Sequence, residues 1–142
     1  MKLMELFDSR DKKKRISHIR NLVALAFADG SVDQSEIILI SAIALRSGLT
    51  GGEVDRIMQR PDSVKFAAPE TTRERIEQLY DMVLVMTVDC DIHENELALC
   101  KLIALKLGFS HQIIDAIVYK VIESIAAGIN SELAITQLVK SA

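Results

Sequence analysis

The sequence predicts a single all-α domain, a compact bundle of about seven helices. Three observations carry that expectation: a hydrophobic fraction of 49% against 26% charged residues, a shortage of turn formers, and an internal repeat whose copies show helical periodicity. The apolar surplus is large enough for burial to offset chain entropy, so a disordered chain is excluded. Two Pro, six Gly, no Trp and 4% aromatics suit packed helices better than short strands joined by tight turns. At 142 residues one core suffices, and residues 1–142 are read as one domain.

Sliding the sequence by sixty positions superposes Ile16–Arg60 on Ile76–Lys120 without a gap, and 11 of the 45 positions are identical where composition alone would give roughly three. The identities include Asp29 with Asp89, Glu36 with Glu96, Ile43-Ala44-Leu45 with Ile103-Ala104-Leu105, and Gly48 with Gly108. Each copy, about 16–60 and about 76–120, reads as three helices.

In the first helix, about Ser17–Ala28, Ile16, Ile19, Val23, Ala26 and Phe27 form one stripe. Its counterpart, about Thr72–Val88, carries Ile76, Leu79, Val83 and Met86. Met1–Phe7 is expected as a short amphipathic turn or a loose end. The second helices, about Gln34–Arg46 and Glu94–Leu107, are apolar nearly all the way round. That pattern predicts burial on most faces, which would put them at the centre, against each other or nearly so, about an approximate two-fold axis.

Gly48 and Gly108 stand where a left-handed residue closes each second helix. Thr50 and Ser110 are placed to cap the third helices, and Thr50 with Glu53 has capping-box spacing. Arg60-Pro61-Asp62 and Ala68-Pro69 bracket a linker, with Thr71 or Thr72 as the next N-cap. A helix from near His111 to near Gly128 carries Ile113, Ile114, Ile117, Val118 and Val121. A last helix, about 131–139, is expected to bury Leu133, Ile135 and Leu138 as a lid.

The net charge of −3 argues against a dedicated nucleic-acid partner, because phosphates would be repelled on average. The run Lys12-Lys13-Lys14-Arg15 reads as a solvated helix start, with a basic docking patch as the alternative. Cys90 and Cys100 form neither a zinc motif nor a disulfide framework, which fits a reducing cytoplasm. The N-terminus lacks an apolar signal-peptide core, and the longest apolar runs are far too short to cross a bilayer, so no integral membrane association is expected.

Chemistry, if any, belongs to the loops ahead of the second helices: Asp29, Asp33 and Glu36 in one, Asp89, Asp91, Glu94 and Glu96 in the other. Carboxylates clustered at such a turn can converge on a hard cation, Ca2+ or Mg2+. An EF-hand is excluded. Counted from Asp29, the glycine position holds Gln34 and the bidentate position Ile40; counted from Asp89 these are Glu94 and Cys100. The same acids also have a folding explanation, since Asp29-Gly30 is turn chemistry and Asp33 with Glu36 forms a capping box.

His18, His93 and His111 lack ligand spacing, and only His93 has carboxylate neighbours. Cys100 reads as a small core residue and Cys90 as an exposed thiol without a basic activator. Met58, Met82 and Met86 fall at core spacing. No nucleophile stands beside a base in a known motif, and phosphate-binding glycine loops are absent, so catalysis is not expected.

The stretch Ala26-Phe27-Ala28-Asp29-Gly30-Ser31-Val32-Asp33-Gln34-Ser35-Glu36, followed by Gly48-Leu49, resembles the TerB family of tellurite-resistance proteins. It is also similar to the N-terminal domain of membrane-anchored DnaJ-like chaperones. Val88–Glu96 and Leu107-Gly108-Phe109-Ser110 look like a second, degenerate occurrence, and the two together cover about residues 16–126. The resemblance implies a TerB-like helical fold, metal binding through Asp29, Asp33, Glu36, Asp89 and Glu96, and a role as an interaction module in stress responses. His93 departs from the motif at the second capping position. The expected function is a non-enzymatic module with protein partners, self-association being one option. The alternative is a purely structural or oligomerising protein whose acids only cap helices.

Overall fold

The computed structural model describes the backbone of residues 3–28, 30, 32–89 and 91–141, and the side chains of these from residue 10 onward. These residues form seven α-helices and no strand. The helices are α1 (Leu3–Ala26), α2 (Gln34–Arg46), α3 (Gly51–Gln59), α4 (Thr72–Thr87), α5 (Glu94–Leu107), α6 (Ile114–Ala126) and α7 (Ser131–Ser141), with a 3-10 turn at Pro61–Ser63.

The ends of the helices follow local chemistry. Thr50 Oγ1 accepts the Glu53 N–H at 3.2 Å while Glu53 Oε1 accepts the Thr50 N–H at 2.9 Å, so the predicted capping box opens α3. Thr71 Oγ1 accepts the Glu74 N–H at 3.1 Å and opens α4. Gly108 closes α5 at φ +114°, where a Cβ would stand 3.1 Å from Arg75 Nε, so both backbone and space favour glycine.

Two expected boundaries differ. α1 begins at Leu3, well before Ser17. Nothing between Leu3 and Ser17 breaks a helix, and Asp11 lies at helical spacing from Lys14 and Arg15, which supports continuation. Ser110 does not cap α6 with its side chain. A turn intervenes, with the Ile113 N–H bonded to the Ser110 carbonyl at 3.1 Å, and α6 starts at Ile114.

The centre of the bundle is α1 against α4, not α2 against α5. α1 and α4 pack on each other and between them touch every other helix, whereas α2 and α5 do not approach one another. Ile19, Leu22, Val23, Leu25, Ile76, Leu79, Met82, Val83, Val85 and Met86 are all fully buried. By contrast α2 leaves Ile38 63% and Leu45 57% exposed, and α5 leaves Leu102 58% exposed. The reason is charge placement. Residues 21–28 and 82–88 carry no charged side chain, so the C-terminal halves of α1 and α4 can be surrounded. α5 carries Lys101 and Lys106 and α2 carries Arg46, which hold one face of each helix in water.

Two smaller departures concern single side chains. Phe27 is exposed just past the end of α1, and Leu133 is exposed on α7, where Ile135 and Leu138 are buried as expected and Ala134 is buried with them. Burial nevertheless tracks the sixty-residue spacing. Leu22 and Met82, Ile40 and Cys100, Ala44 and Ala104, Leu49 and Phe109, and Ile57 and Ile117 are each buried as pairs.

Candidate functional site

The acidic residues lie where α1 passes to α2 and where α4 passes to α5. Asp33 is the N-cap of α2, in extended backbone conformation, and its side chain is exposed. Its N–H donates to Glu36 Oε1 at 3.3 Å, and the Glu36 N–H donates to the Asp33 carbonyl at 3.1 Å. This local wrap turns Glu36 inward. The carboxylate is only 3% exposed, and its second oxygen, Oε2, is buried with no hydrogen-bond partner among the described residues.

The second loop has a different local chemistry. Asp89 Oδ1 accepts the Asp91 N–H at 3.1 Å, an Asx-type turn that half-buries Asp89 and leaves Asp91 exposed. His93 takes the N-cap position of α5, with Nε2 3.7 Å from Asp89 Oδ2 and 3.9 Å from Glu96 Oε1. Glu96 is buried at 2% exposure, like Glu36 sixty residues earlier, and Glu94 is exposed.

The two loops share an electrostatic environment. Glu36 is held above its ordinary carboxyl pKa, first by burial, with the charges of Asp89 and Asp33 adding to the rise. The Asp33 N–H bond and the His93 charge act the other way. A carboxylate from one loop thus responds to an acid and an imidazole from the other, although α2 and α5 make no backbone approach.

The predicted site residues therefore divide into three groups. Glu36, Asp89 and Glu96 are withdrawn from solvent, with His93 beside the last two; Asp33, Asp91 and Glu94 face water. Asp29, like Cys90, lies outside the described residues. No group of three His, Cys, Asp or Glu side chains among the described residues has the arrangement of a metal centre. Chemically, the arrangement offers one buried oxygen with spare acceptor capacity, suited to a proton or a hard cation, and no adjacent nucleophile.

Sequence reasoning missed one buried polar pair outside the loops. His18, 8% exposed on α1, places Nε2 2.8 Å from Asp81 Oδ2 on α4. Neither residue belongs to a motif, and 63 positions separate them, so only packing could disclose the contact. Cys100 is buried and its thiol is pushed up to about 12 by burial, consistent with a core side chain rather than a reactive one. No described helix is long and apolar enough to cross a membrane. Comparison with models of known protein families, with characterised proteins and with solved structures found no match.

Proposed function

We propose that this chain is a non-enzymatic, TerB-like interaction module, built from two copies of one three-helix unit about an approximate two-fold axis, that takes a hard divalent cation at its acidic loops. The observation that carries the reading is Glu36 Oε2, a carboxylate oxygen that is buried and lacks a hydrogen-bond partner among the described residues. Leaving such an atom uncompensated is costly, and a cation or a proton would relieve it. Asp89 is within electrostatic reach and lies on the other loop, so a cation there would draw on both copies of the repeat. Ca2+ or Mg2+ fits an all-oxygen donor set best. The stress-response setting, the cytoplasmic location and the protein partners rest on the sequence resemblance.

Isothermal titration of the full chain with Ca2+, Mg2+ and Mn2+, against a Glu36→Gln/Asp89→Asn variant, tests the cation. Saturable heat from the wild type and none from the variant is the expected result. Identical heats from both proteins remove the cation from the reading.

A second reading, that the acids only shape and cap the helices, is favoured by the hydrogen bonds the loops already satisfy: Asp33 N–H to Glu36 and Asp91 N–H to Asp89. On that reading Asp33→Ala lowers stability by about 0.5–2 kcal/mol, equally with and without chelator. Melting that shifts with divalent cation contradicts it.

A further inference from the structure

A cavity of about 530 Å3 opens between α1, α3 and the segment that joins α3 to α4, and it shares no residue with the acidic loops. Two hydrogen bonds hold that segment across the gap like a strap. The Ala67 N–H donates to the buried Ser17 Oγ at 2.9 Å, and Arg20 Nε donates to the Pro61 carbonyl at 3.3 Å. Ala67 itself lines the cavity, and the apolar side chains of Val64 and Phe66 beside it line the space as well. Ile16 of α1, Ile57 of α3, and Val64 and Phe66 of the strap supply the walls, with Phe66 still 40% exposed.

Cations outnumber carboxylates in the polar lining by three to one. Lys13, Arg56 and Lys65 line the cavity and are exposed, and none makes an ion pair with a described residue. Glu53 is the one carboxylate of the lining, and it is already engaged: Oε2 lies 2.7 Å from Lys12 Nζ and Oε1 accepts the Thr50 N–H. Three cations without an ion pair among the described residues therefore line an apolar space in a chain whose net charge is −3. The volume falls within the range of roughly 300–1,000 Å3 typical of small-ligand sites.

We propose that this cavity binds a free, single-chain amphiphilic carboxylate of the medium-chain fatty-acid type. The tail would lie against Ile16, Ile57, Val64 and Phe66, and the carboxylate would meet Lys13, Arg56 and Lys65. Arg56 suits that headgroup because its guanidinium can offer two parallel N–H donors to one carboxylate. A cavity of this size accepts one short chain and not the paired long chains of a membrane lipid. The proposal owes nothing to the cation reading and survives its failure.

The test is isothermal titration of the full chain with decanoate, decyltrimethylammonium and acetate, each below its micelle concentration, repeated with Lys13→Glu/Lys65→Glu. Both substituted side chains are exposed, and circular dichroism of the variant checks that its helices are kept. Expected are saturable one-to-one binding of decanoate, at least tenfold weaker binding of the cationic amphiphile and of acetate, and at least a tenfold loss in the variant. A Phe66→Ser variant should also weaken decanoate while leaving the melting curve in place. Equal uptake of the two amphiphiles, decanoate affinity indifferent to charge reversal, or no saturable heat would overturn the proposal. So would binding to phosphatidylglycerol vesicles without binding to decanoate, which would make the basic mouth a membrane-facing surface instead.

Discussion

His18 of α1 and Asp81 of α4 meet at 2.8 Å, and their contact joins the two helices at the centre of the bundle. His18 is almost fully buried and Asp81 is mostly so, which makes the pair sensitive to loss of either partner. Asp81→Ala leaves a buried imidazole nitrogen unpartnered and should lower stability by about 1–3 kcal/mol, read from urea denaturation. His18→Ala with Asp81→Ala should cost less than the sum of the two single changes. Strict additivity would mean that the contact contributes nothing.

The central position of α4 gives a second expectation. Leu79 is fully buried, whereas Leu102 on α5 is 58% exposed. Leu79→Ala should cost about 2–5 kcal/mol, while Leu102→Ala should fall within about 0.5 kcal/mol of wild type. Comparable losses from the two variants would put the Leu102 face of α5 in the core as well.

Glu36 should shape the dependence of stability on pH. Because burial holds its carboxyl above the ordinary value, the folded chain keeps this proton to a higher pH than the unfolded chain does. The Glu36 contribution is therefore most favourable below roughly pH 4.3, the unfolded value, and is lost as pH rises through the raised folded value. In the presence of chelator, Glu36→Gln should be more stable than wild type at neutral pH, and the difference should shrink on acidification. A pH-independent difference would contradict the burial argument.

Cys100 offers a probe of global opening. Its thiol is buried and raised to about 12, so in a Cys90→Ser background Ellman's reagent should react only as fast as the protein unfolds. Addition of urea should accelerate labelling in step with the loss of helical signal. Rapid labelling of the native protein would place the thiol at the surface.

Much of the architecture could be read directly from residues. Helices α2, α4 and α5 each start just after a polar N-cap residue, and Thr50 with Glu53 and Gly108 behave as their spacing requires, because capping and backbone conformation depend only on near neighbours. The candidate site was legible as a set of acids. Which acids would be buried was not, since Glu36 and Asp33 differ in sequence context by three residues and in structure by which one turns inward.

The sequence by itself determined the helical class, the identities at a spacing of sixty residues and the concentration of carboxylates at two helix starts, all of which follow from local spacing and composition. Only the tertiary structure decided that α1 and α4 take the centre, that Glu36 lies within reach of the charges on Asp89 and His93, and that a basic-rimmed apolar cavity opens beneath the strap. The physical reason is competition. Several helices carry enough apolar surface to be buried, and which of them is surrounded depends on where every other helix must leave its charges in water.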